Sequence, residues 1–139
     1  MTIDNPEYVL DSFALLAYFQ AELAGPAVRA LLKDARDDKV ALHVSLMNVG
    51  ETYYIMARAK DISQADAMLS DIRALPIILQ PATEDRILAA ARLKAQYALS
   101  YADAFAVALG QELSATVMTG DPEFNAVAHV VKIEWLPNR

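Results

Sequence analysis

Short apolar runs separated by longer helix-compatible stretches constrain this 139-residue chain more than any other feature of its sequence. The runs are Tyr8-Val9-Leu10-Asp11, Val40 to Val44, Pro76 to Leu79, Thr116 to Thr119 and Val130 to Leu136. They do not alternate apolar and polar residues as a half-exposed strand would, so they predict strands buried on both faces. Helix signals fall between them. Ser12 is the expected cap of a helix over Phe13 to Gln20, and Gly25-Pro26 opens a second over Ala27 to Asp37. Ser45 begins a helix running to about Lys60, and Asp61 or Ser63 begins another ending near Ala74-Leu75. Thr83 with Glu84-Asp85 starts a fifth, and Ser100 caps a sixth through Glu112. Strand and helix in alternation predict a parallel α/β sheet covered by helices on both faces.

The length suits one domain, read as residues 1–139, because neither a linker nor a repeat interrupts it. Apolar residues make up 55%, much of them alanine and leucine, which favours helices over an all-β fold. With no cysteine, disulfides and thiolate metal sites are excluded, and two histidines argue against a histidine-rich site. A bound metal would therefore take oxygen ligands, as Mg²⁺ or Mn²⁺ does. No apolar run approaches the ~18 residues needed to span a bilayer. The start, Met1 to Glu7, is polar and unlike a signal peptide, so a cytoplasmic protein with no membrane association is expected. A net charge of −6 offers no broad basic surface to nucleic acid and is compatible with a basic protein partner.

Four carboxylates then call for explanation. Asp11 closes the first apolar run, Asp121 follows the fourth, and Glu51 and Asp103 stand in largely apolar helical stretches. A lone charge beside a core is costly, so such acids have a cation, a donor or a metal as partner. In open parallel sheets, functional groups gather beyond the carboxyl ends of the strands, and the four can meet if the strands of Asp11 and Asp121 are neighbours. Each acid also has a plainer reading. Asp11 or Ser12 can cap a helix, Ser100-x-x-Asp103 is a capping pattern, Gly120-Asp121-Pro122 is an ordinary turn, and Glu51 can pair with Arg58.

Taken together, Val9-Leu10-Asp11-Ser12, Ser45 to Glu51, Leu99 to Ala104 and Thr119-Gly120-Asp121-Pro122-Glu123-Phe124 resemble the PIN-domain ribonucleases. They are most similar to the VapC group, the toxins of bacterial type II toxin–antitoxin pairs. The resemblance implies a three-layer α/β/α sandwich with a central parallel sheet, and a Mg²⁺- or Mn²⁺-dependent endoribonuclease. It implies Asp11, Glu51, Asp103 and Asp121 as catalytic and metal-binding acids, with Ser12 and Thr119 as accessory hydroxyls. Glu123 is a nearby acid to which it assigns no secure role. It also implies an RNA substrate, a homodimer, and an antitoxin whose basic tail enters the active-site groove.

Arg58, Lys60, Arg86, Arg92 and Lys94 are the basic candidates for gripping RNA, although solvated helix faces explain such scattered charges. Tyr53, Tyr54, Tyr97 and Tyr101 can stack on unpaired bases, with core or dimer packing as the plainer role. Trp135 reads as a packing residue, and His43 and His129 as core histidines. The competing function is a non-catalytic PIN-like module that dimerises and binds a partner. A phosphatase or receiver centred on Asp11 fits poorly, because Phe13 stands where a phosphatase needs a second Asp and Gln80-Pro81 where a receiver needs its phosphoacceptor.

Overall fold

The computed structural model describes residues 5–138, so part of the polar start read from Met1 to Glu7 lies outside the described residues. In chain order the elements are β1 (Glu7–Leu10), α1 (Ser12–Phe19), α2 (Gly25–Arg36), β2 (Ala41–Ser45), α3 (Leu46–Ala59) and α4 (Ile62–Ala74). They continue with β3 (Ile78–Gln80), α5 (Glu84–Gln96), α6 (Tyr101–Leu113), β4 (Thr116–Thr119), a 3-10 helix (Pro122–Val127) and β5 (Ile133–Trp135). The strands form a single parallel sheet in the order β3-β2-β1-β4-β5. From central β1 the chain winds outward through β2 and β3, then returns to the other side of β1 for β4 and β5.

Successive strand residues face opposite layers. Leu10 and Met118 pack with Leu15, Val28, Leu42, Met56 and Ile72, a core supplied largely by α1 to α4. Val9 and Val117 pack with Leu93, Phe105, Leu109 and Phe124, beneath α5, α6 and the 3-10 helix. The result is the expected three-layer α/β/α sandwich. Helix α6 is buried without a break from Ala102 to Gly110, because its small residues let it lie close against the sheet. A Cβ at Gly110 would stand 2.8 Å from Val117 Cγ2 and 3.0 Å from Val131 Cγ2.

Ser45, Asp61, Thr83 and Ser100 cap their helices as read, each accepting a backbone N–H in the first turn. Several details differ from the sequence reading. Asp11, not Ser12, caps α1: its backbone is extended and its carboxylate accepts from Ala14 N at 3.0 Å. Strand β3 begins at Ile78 instead of Pro76. Strand β5 begins only at Ile133, because the amides of Val130 and Val131 turn back to the Val127 carbonyl. Gly120-Asp121-Pro122 is the entrance to the 3-10 helix, capped by Asp121, with proline in a first-turn position.

His43 is a satisfied core histidine. Its Nδ1 accepts from Gln80 Nε2 at 3.0 Å, which leaves the proton on Nε2 to donate to Glu7 Oε1, also at 3.0 Å. His129 instead is exposed and meets the edge of the Tyr97 ring. Trp135 is 45% exposed, because β5 is the last strand of the sheet. Glu51 and Arg58 do not pair among the described residues; the Arg58 guanidinium lies over Tyr54, 5.2 Å from the ring centre. Among the described residues no helix is long and apolar enough to cross a membrane.

Candidate metal centre

The winding reverses between β1 and β4, and the crevice that opens there lies beyond the carboxyl ends of both strands. Asp11 is the first residue past β1, and Asp121 the second past β4. Helix α6 starts at the same place, held by its Ser100 cap, and sets Asp103 in its first turn. Glu51 comes in from α3, half-buried. All four border one cleft of about 330 Å³, together with Ser12, Ser100, Glu123 and the apolar walls Phe13, Leu16 and Ile55. Among the described residues no lysine, arginine or histidine lines it. The described ion pairs, Glu7–His43 and Arg86–Glu112, lie elsewhere, so five carboxylates share the cleft with no cationic side chain among the described residues.

Asp11 is buried and tied at both oxygens. Oδ1 accepts from Ala14 N, and Oδ2 from the Thr119 hydroxyl at 2.5 Å. Thr119, fully buried, also accepts from Asp121 N at 3.1 Å, so one hydroxyl joins the ends of β1 and β4. Burial pushes the Asp11 carboxyl up to about 7; Thr119 and Ala14 pull it down, and the charges of Asp103 and Asp121 push it up again. Burial likewise raises Asp103 to about 6, opposed by a hydrogen bond with Ser100 and reinforced by Asp121, Glu51 and Glu123. Such shifts mark a site where charge is uncompensated.

The tightest group differs from the four acids singled out in the sequence. One carboxylate oxygen each of Asp103, Asp121 and Glu123 lie within 4.8 Å of one another. Neighbouring oxygens on an octahedral ion bound at ~2.0–2.1 Å stand ~2.9 Å apart, so the three side chains would draw together to hold Mg²⁺ or Mn²⁺. All-oxygen ligands suit either ion, and raised carboxyl pKa values are what a dication would reverse. Glu123 enters through the 3-10 helix, whose first turn carries it back over Asp121 Oδ1, which accepts the Glu123 amide at 2.9 Å. Reading Gly120-Asp121-Pro122 as a plain turn hid this. Its sequence signal was the acid two positions after a capping Asp with proline between.

Asn48 is the other residue that the sequence analysis did not single out. It is wholly buried between α1, α3 and α6, where Nδ2 donates to Ser12 Oγ at 3.1 Å and to the Ala102 carbonyl at 3.2 Å. Ser12 in turn donates to the Asn48 carbonyl at 3.3 Å.

A parallel sheet with a metal-ready acidic crevice at its switch point defines a class of α/β domain, and sequence comparison says which. The PIN domain family model matches residues 8–130, and the chain belongs to that family. Among solved structures it is similar to Mycobacterium tuberculosis VapC20, described as a sarcin-ricin loop cleaving toxin, with 18% identity and a TM-score of 0.74 over 94% of this chain and 99% of that one. It is also similar to VapBC2 from Rickettsia felis bound to a promoter DNA fragment, with 14% identity and a TM-score of 0.69 over 94% and 99%. DNA-bound VapBC from Salmonella typhimurium gives 12% identity and a TM-score of 0.70 over 93% and 97%. At these identities the likeness is one of fold. Comparison with curated protein sequences gives no match.

Proposed function

We propose that this chain is a Mg²⁺- or Mn²⁺-dependent endoribonuclease acting as the toxin of a toxin–antitoxin pair. The carrying observation is the cleft, lined by no basic side chain among the described residues, in which Asp103, Asp121 and Glu123 converge beside a buried Asp11. In this reading Asp11, Asp103 and Asp121 hold metal, Glu123 completes the set, and Glu51 binds at the rim or orients water. Divalent ions there would lower the pKa of a bound water and offset charge on the leaving oxygen of a phosphodiester.

The chain's own residues do the positioning. The Thr119 hydroxyl holds Asp11 Oδ2, and the Asp11 cap to Ala14 holds Oδ1, so its carboxylate cannot rotate away. Ser12 is turned toward Asn48, and we assign it a supporting role. Ser100 holds the first turn of α6 and with it Asp103. Hydrolysis at such a site leaves a 5′-phosphate and a 3′-hydroxyl on RNA. Fold similarity to VapBC assemblies supports a protein antitoxin as partner, and the net charge of −6 suits a basic inhibitory segment. Exposed Met47 and Tyr54, two turns apart on α3, support self-association as a homodimer. An RNA substrate places the protein in the cytoplasm.

The test is cleavage of total RNA by folded, partner-free protein, in Mn²⁺ or Mg²⁺ against EDTA. Wild type would be compared with Asp11→Asn and Asp103→Asn. Metal-dependent cuts that disappear in both variants are expected. Equal cleavage in EDTA, or turnover retained in either variant, would overturn the metal mechanism. No cleavage by wild type under any condition would favour the non-catalytic interaction module.

A further inference from the structure

The amide of Asn48 reaches both ends of the acidic cleft without lining it. Its two Nδ2 hydrogens are both donated, one to Ser12, which directly follows Asp11, and one to the carbonyl of Ala102, which directly precedes Asp103. Asn48 itself lies one turn before Glu51 on α3. One side chain therefore spans the helices that carry three of the acids, across sequence separations of 36 and 54 residues. Its Oδ1 is buried without a hydrogen-bond partner among the described residues, an arrangement that costs stability and that an apolar residue of similar volume would avoid. Flipping the amide does not help, because it would set Oδ1 against the Ala102 carbonyl oxygen, acceptor facing acceptor. Packing alone thus gives no reason for asparagine here.

We infer that Asn48 is a positioning residue for metal capture, setting the spacing between the Asp11 and Asp103 ends of the cleft through Ser12 and Ala102. The inference rests on the metal reading above. Asp11 and Asp103 stand at the starts of different helices, α1 and α6, so neither helix by itself fixes the distance between them. The Asn48 amide clamps them from behind, so an ion meets a preformed site. Groups standing behind metal ligands in this way typically change metal affinity by ~10–100-fold when removed.

Mn²⁺ titration by calorimetry, on the partner-free protein without RNA, tests this directly. Asn48→Leu keeps the volume and removes both donors; its Mn²⁺ dissociation constant is expected to rise by about tenfold. Thr52→Val is the control. Thr52 is equally buried on α3 and its hydroxyl donates to the Asn48 carbonyl, but among the described residues it makes no hydrogen bond to Ser12 or Ala102. It should lose stability in urea while binding Mn²⁺ as wild type does. Unchanged affinity in Asn48→Leu, with wild type binding normally, overturns this inference alone. The same holds if Thr52→Val weakens binding equally. Wild type that binds no Mn²⁺ overturns the metal reading and this one with it. Asn48→Ala, which admits solvent to the freed groups, is read in the same way should the leucine variant fail to fold.

Discussion

Asp11 is asked to be two things at once, a helix cap inside the core and a charged group. Burial makes its ionised form unfavourable until a cation arrives, which is why its carboxyl sits near 7 against an ordinary value of 3.8. The sign for stability follows from linkage. A carboxyl whose pKa is raised on folding stabilises fully below about 4 and loses that contribution as pH rises through about 7. Asp103, raised to about 6, acts in the same direction. In EDTA the midpoint of thermal unfolding should therefore fall between pH 5 and pH 8, a range that brackets both groups. Asp11→Asn should flatten much of that fall, since an amide oxygen can still accept from Ala14 while no charge need form. A wild-type midpoint that rises with pH in EDTA would contradict the burial argument.

Helix α6 shows how much an element depends on small side chains. Alanine normally favours a helix over glycine by ~1 kcal/mol. Gly50 and Gly110 should nevertheless respond with opposite signs. A Cβ at Gly50 meets nothing within 4 Å, so Gly50→Ala is expected to stabilise by ~0.5–1 kcal/mol in urea unfolding. At Gly110 the new methyl would press on the stiff branched side chains of Val117 and Val131. Overpacking of this kind costs ~1–3 kcal/mol and outweighs the propensity gain. Stabilisation by Gly110→Ala would mean that α6 sits further from the sheet than described. The pair formed by half-buried Arg86 and exposed Glu112 joins α5 to α6 through two hydrogen bonds, at 2.9 and 3.0 Å. It occupies Arg86, which weakens that residue as a candidate for gripping RNA.

For the molecule as a whole, the cleft couples metal to folding. An ion that binds only the native state stabilises it by ~2.7 kcal/mol at a hundredfold excess over its dissociation constant. Saturating Mn²⁺ should raise the thermal midpoint by several degrees at pH 7.5, and more there than at pH 5, where protons compete for Asp11 and Asp103. The pH trend seen in EDTA should thus weaken or reverse with metal present. Equal shifts at the two pH values would separate the ion from these two carboxyls.

Much of this was legible in the sequence because it is governed by neighbours in the chain. Apolar runs, turn residues and caps such as Ser45, Thr83 and Ser100 act over a few positions, so strand–helix alternation and helix starts follow from local chemistry. The isolation of Asp11, Glu51, Asp103 and Asp121 was visible for the same reason, since a charge in an apolar stretch is a local anomaly. Only the tertiary structure decided what those charges meet. The Thr119 hydroxyl reaches Asp11 across 108 positions, and Asn48 reaches Ala102 across 54. Glu123 joins Asp103 only because a proline-led 3-10 helix turns it inward. Such partners are selected by which strands lie side by side and by the need of buried polar groups for hydrogen bonds, and neither is set by local sequence.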